Sequence, residues 1–133
     1  EGMAEMMRAV GEDFQGLCFV NLVDYDMLYG HRRDPVGYAR ALNAFDDFLP
    51  SFLAAMREGD LLMITADHGC DPSYTKTTDH TREYTPLLIA GAGVRPGSLG
   101  TRQGFSTIAT TVADLLGVPY SGAGESLRHE IIG

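Results

Sequence analysis

The chain has 133 residues, 44% apolar and 21% charged, with 18 acidic against 10 basic side chains for a net charge of −8. That length suits one domain with one core, and the acidic balance argues against nucleic acid as a general partner. No apolar run of about 18 residues is present to cross a membrane, and no basic stretch leads into an apolar one as in a secretory signal. Two cysteines, Cys18 and Cys70, are too few for a disulfide framework, so the chain reads as cytoplasmic with both thiols reduced.

In chain order, residues 3–10 are good helix formers and Gly11 stops them. Leu17 to Val23 is almost wholly apolar and reads as a strand buried on both faces, which favours a parallel sheet. The polar, Gly-containing segment from Asp24 to Asp34 reads as a loop. From Pro35 to Glu58, Tyr38, Leu42, Phe45, Leu49, Phe52, Leu53 and Met56 recur at three- and four-residue steps, the stripe of an amphipathic helix. Pro35 fits its first turn, Pro50 should kink or split it, and Gly59 ends it.

Strand Leu61–Thr65 follows, giving a βαβ unit with a right-handed crossover. Residues 69–85 lack periodicity, and a loop that long in a compact domain is usually functional. Pro86–Ala90 is a third short strand. The turn-rich run from Gly91 to Gly100 lacks the glycine spacing of a phosphate-binding loop and reads as a connection. Phe105, Ile108, Val112, Leu115 and Leu116 mark a second amphipathic helix, capped by Ser106 or Thr107 and stopped by Gly117. Pro119 to Gly133 reads as a loosely packed tail. The fold class expected is α/β, a mostly parallel sheet flanked by helices.

The chemistry centres on Ile64-Thr65-Ala66-Asp67-His68-Gly69. A carboxylate beside an imidazole at the end of a buried strand is where an open α/β sheet places its site. A hard oxygen with a neutral nitrogen suits Zn²⁺ or Mn²⁺ better than Ca²⁺. Cys70 is either a soft ligand or a small buried side chain. His31 and His80 also lie in polar loops after or between strands. With parallel strands, Asp26, His31, Asp67, His68 and His80 converge at one sheet edge. Five N/O donors exceed one tetrahedral site and suit a two-metal clamp on a phosphoryl group. Asp24 competes with Asp26 for the ligand role. Arg32 and Arg33 bind phosphate or are simply solvated. Arg82 and Glu83 orient ligands or pair with each other.

Four strings carry a resemblance. Asn21-Leu22-Val23-Asp24-Tyr25-Asp26, Gly30-His31-Arg32-Arg33-Asp34, Thr65-Ala66-Asp67-His68-Gly69-Cys70-Asp71-Pro72 and Thr78-Asp79-His80-Thr81-Arg82-Glu83 occur in that order. Over about Gly16 to Gly117 the chain resembles the C-terminal part of the phosphopentomutase family, within the alkaline-phosphatase-like metalloenzymes. Gly-His-Arg-Arg-Asp sets it apart from the cofactor-independent phosphoglycerate mutases, the alternative family; a non-catalytic α/β module is the alternative outside enzymes.

The resemblance implies two Mn²⁺ ions, one on Asp67 and His68, the other on Asp26, His31 and His80. It thereby favours Asp26 over Asp24. It further implies interconversion of ribose or deoxyribose 1-phosphate and 5-phosphate through a phosphorylated threonine bridging both metals. The family's first strand with its metal-binding Asp, the nucleophilic Thr and the cap domain are not identifiable here. The expectation is one incomplete α/β domain over residues 1–133, a C-terminal portion inactive alone and prone to self-association through uncovered surfaces.

Overall fold

The computed structural model describes residues 1–133. It contains four α-helices, a π-helical turn and two strands: α1 (Gly2–Val10), the π turn (Tyr25–Gly30), α2 (Pro35–Ala55), β1 (Leu62–Thr65), β2 (Leu87–Ala90), α3 (Ser106–Leu116) and α4 (Arg128–Ile131). The chain is α/β, but it divides into two compact units.

The first unit comprises residues 1–14, 18–56 and 64–88. Its long element is α2, on which α1 and the π turn pack. Asp34 caps α2 by accepting the Gly37 N–H at 2.8 Å, with Pro35 in the first turn where its missing donor costs nothing. The stripe buries Phe52, with the Phe48 ring tilted against those of Phe52 and Phe45 at 5.7 and 5.9 Å. Tyr25 meets Tyr38 edge to face at 5.6 Å and donates to the Ala41 carbonyl at 3.2 Å. Pro50 does not split the helix, which instead ends at Ala55, where Met56 turns extended.

Two expectations for this unit are corrected. Leu17 to Val23 forms no strand. It runs unpaired, with Leu17 62% and Phe19 81% exposed. An apolar sequence specifies that a segment should be buried in a sheet, but a ladder needs a second backbone, and no other segment of this chain supplies one. Without that strand there is no βαβ crossover and no parallel sheet. The segment from Asp24 to Asp34, expected as a loop, contains the π turn. There His31 N–H reaches Asp26 O and Asp34 N–H reaches Tyr29 O, both at 2.9 Å and both across five residues.

β1 and β2 form a two-stranded sheet. They run antiparallel: the Thr65 hydroxyl donates to the Pro86 carbonyl at 2.8 Å, and Gly91 lies against Asp60 and Leu61. The long segment 66–86 is therefore the crown of a hairpin, closed again by an antiparallel bridge between Gly69 and Thr81.

The second unit comprises residues 15–17, 57–63 and 89–133. Phe105, not Ser106 or Thr107, stands at the N-cap of α3, and Gly117 closes it with φ of +66°, a left-handed turn that glycine adopts freely. The residues after Pro119 are not a loose tail. Leu127 and Ile131 are each 2% exposed, and Thr111 of α3 is completely buried. The Thr111 hydroxyl donates to the Thr107 carbonyl at 2.7 Å and accepts the Leu127 N–H at 2.9 Å. Arg95 N–H donates to the Ile131 carbonyl at 2.8 Å, beside a bridge between Val94 and Ile132.

Candidate metal centre

All five predicted ligands lie in the first unit. The π turn sets the first two. Its wider pitch brings residues five apart onto one side, so the His31 imidazole sits with Nε2 at 3.2 Å from Asp26 Oδ2. The hairpin crown brings the others. His80 Nε2 lies 3.4 Å and His68 Nε2 3.9 Å from Asp26 Oδ1. The His68 and His80 rings stack at 3.5 Å and 13°. One donor atom each from Asp26, His31 and His80 falls within a 4.8 Å group. Asp67 is reached only through His68, whose Nε2 is 3.5 Å from its Oδ1, and its side chain is 85% exposed. Asp24 is exposed and takes no part.

The proton positions follow from the backbone. His31 Nδ1 lies 2.5 Å from the Thr78 carbonyl and His68 Nδ1 3.0 Å from the Gly69 carbonyl. A carbonyl only accepts, so each Nδ1 carries the proton. In a neutral ring each Nε2 is then a lone pair aimed at a carboxylate oxygen, acceptor facing acceptor. Asp26 Oδ1 is buried and has no hydrogen-bond partner. Such an arrangement is costly unless positive charge lies between the groups. A divalent cation supplies it, and imidazoles held at Nδ1 by carbonyls are the usual form of metal-binding histidine. The donor set and the orphaned oxygen both fit a metal.

The surroundings are built from close approaches. Gly30 is buried, and a Cβ there would lie 2.5 Å from Cys70 Sγ. Cys70 is half-buried; burial, then the Asp26 carboxylate, pushes its thiol up, away from the thiolate a soft ligand needs. A Cβ on Gly69 would meet Glu83 N at 2.7 Å and Thr81 O at 2.8 Å, so only glycine lets the two arms of the crown close here. The Thr81 hydroxyl accepts the Asp71 N–H at 2.6 Å and donates to Glu83, so Glu83 serves the crown and not a pair with Arg82.

Arg33 corrects an expectation: it is neither solvated nor free for phosphate. Its guanidinium donates to the carbonyls of Thr77, Asp71 and Asp79 at 2.7, 3.0 and 2.5 Å. Arg32 is exposed. Sequence reasoning missed Gly30, the Thr78 carbonyl and this use of Arg33. The positive φ at Arg33 and the backbone acceptors have no signature in residue types.

The metalloenzyme superfamily model matches residues 1–120. The chain belongs to the metalloenzyme superfamily. It is 53% identical over 131 residues to the phosphopentomutase of Lachnoclostridium phytofermentans, covering 98% of this chain and 33% of that protein. Against the phosphopentomutase of Acetivibrio thermocellus identity is 51% over 133 residues, 99% of this chain and 34% of that protein. Against that of Symbiobacterium thermophilum it is 50% over 132 residues, 98% and 33% respectively. The chain therefore spans about a third of the length of the curated relatives it matches. Membership of a metalloenzyme superfamily implies metal dependence, in keeping with the donors around Asp26.

Proposed function

We propose that this chain is the metal-holding part of a phosphopentomutase, an isomerase acting on ribose or deoxyribose 1-phosphate and 5-phosphate. The observation that carries the reading is the buried Asp26 Oδ1, unpartnered and ringed by imidazole nitrogens. The relatives' names supply the reaction, since each is a phosphopentomutase.

Asp26, His31 and His80 would hold one ion and Asp67 and His68 would contribute to a second, Mn²⁺ being the metal that the resemblance favours. Bound ions withdraw charge from phosphoryl oxygens during transfer. The chain's own contribution is orientation. The Thr78 and Gly69 carbonyls fix the tautomers of His31 and His68, so that both Nε2 lone pairs face inward. The exposed Arg32 is suited to meet the substrate's phosphate. The covalent step would use a threonine outside these residues, and Asp67 with His68 is two ligands where three or four are needed. The 133 residues thus act as one part of an α/β domain and do not turn over pentose phosphate alone.

Calorimetric titration of the chain with Mn²⁺ tests the reading. One site should bind, with His31→Ala and His80→Ala each weakening it about 10-fold or more, in line with the loss expected on removing a ligand or its support. No binding, or binding indifferent to both substitutions, overturns it. Mutase turnover by the isolated chain would overturn the division of labour.

A further inference from the structure

Two ligand-bearing segments, the π turn with Asp26 and His31 and the hairpin crown with His80, meet without any regular secondary structure joining them. We propose that Arg33 is the positioning residue that locks them together, and so sets where His80 stands relative to Asp26. The proposal rests on the metal-site reading for its consequence but stands on separate contacts.

Arg33 follows His31 by two residues, and it is the one non-glycine residue with positive φ, at +54°. Its N–H donates to Gly30 O at 3.0 Å, anchoring its backbone to the end of the π turn. From there its side chain crosses to the crown. Nε donates to Thr77 O at 2.7 Å, Nη1 to Asp71 O at 3.0 Å and Nη2 to Asp79 O at 2.5 Å. The three acceptors bracket the crown, and the last belongs to the residue preceding His80. The crown carries little else to fix it: residues 73–80 are all exposed, and an exposed loop without buried apolar contacts is the part of a fold that opens first.

A planar fork with donors in three directions suits three divergent carbonyls, whereas a lysine ammonium is a point charge that cannot span them. His31 adds a second tie from the same turn, through Nδ1 to Thr78 O. Arg33 therefore touches neither metal nor substrate and acts through His80 and the Thr78 carbonyl.

Hydrogen–deuterium exchange on the full metal-free chain tests the lock. Arg33→Ala should speed exchange of amides 71–81 about 10-fold or more, while the amides of α2, in the same unit, remain as in wild type and report an intact fold. The same variant should bind Mn²⁺ about 10- to 100-fold more weakly, the usual loss when a group supporting a ligand is removed. Arg33→Lys should recover little of either effect, and Arg40→Ala, an exposed arginine on α2, should show neither. If Arg33→Ala unfolds, so that α2 amides also exchange fast, Arg33→Lys decides. Wild-type exchange over 71–81 in the deciding variant overturns the proposal, as does fast exchange with wild-type Mn²⁺ affinity. Failure of the wild-type chain to bind Mn²⁺ overturns the metal reading alone, since the exchange result still decides the lock.

Discussion

At Gly30 the chain has no room for a side chain. A Cβ there would stand 2.5 Å from Cys70 Sγ, 3.1 Å from the Tyr25 carbonyl and 3.6 Å from Asp26 Oδ1. Gly30→Ala should therefore destabilise the chain by about 1–3 kcal/mol in urea unfolding, the typical cost of overpacking. Cys70→Ala in the same chain should recover most of that loss, because Sγ is the nearest obstacle. A double variant no more stable than Gly30→Ala alone would show the strain to lie elsewhere. The pairing of Gly30 with Cys70 was not legible in the sequence, since 40 residues separate them. The members of the cluster were legible in part: His31 and His80 stood out as imidazoles in polar loops, whereas Asp26 was preferred to Asp24 only through the family resemblance. Arg33 was misjudged for the opposite reason. Its partners are carbonyls, which every residue owns.

At the scale of elements, periodicity served the helices well. α2 and α3 lie where their apolar stripes put them, because a stripe encodes its own burial. Strands were read less well. Leu17 to Val23 has the composition of a central strand, but composition says nothing of whether a neighbour is at hand to pair with it. The orientation of β1 and β2 depends on how the residues between them travel, and a crown without periodicity does not announce a hairpin. The final segment was misread because its anchor is polar. Thr111 bonds to Leu127, and Ser126 and Arg128 donate to Asp114 at 2.5 and 3.2 Å. The Ser126 hydroxyl, and then Arg128, holds the Asp114 carboxyl below its ordinary value of 3.8. A depressed folded value stabilises above the unfolded one and is lost as pH falls through the folded one. The melting temperature should accordingly drop as pH is lowered below about 4, and Asp114→Asn, which never carries the charge, should drop less over the same window. Equal slopes for the two proteins would remove Asp114 from the account.

The whole molecule is acidic, at −8, and carries apolar side chains in the open, among them Leu17, Phe19 and Leu88. An unpaired apolar segment invites another backbone, while net charge keeps copies apart. Sedimentation velocity should show concentration-dependent association that grows with salt, as screening shortens the reach of the repulsion. Phe19→Lys, which places charge on the bare segment, should shift the population toward monomer; no shift would locate the contact elsewhere. No helix is long and apolar enough to cross a membrane. The crown between β1 and β2 leads to a different kind of constraint. Arg33 grips it by main-chain oxygens at residues 71, 77 and 79, so the letters between them are free to change. Their number is not: the crown is a ruler, and one inserted or deleted residue would slide every mark past the hand that holds it.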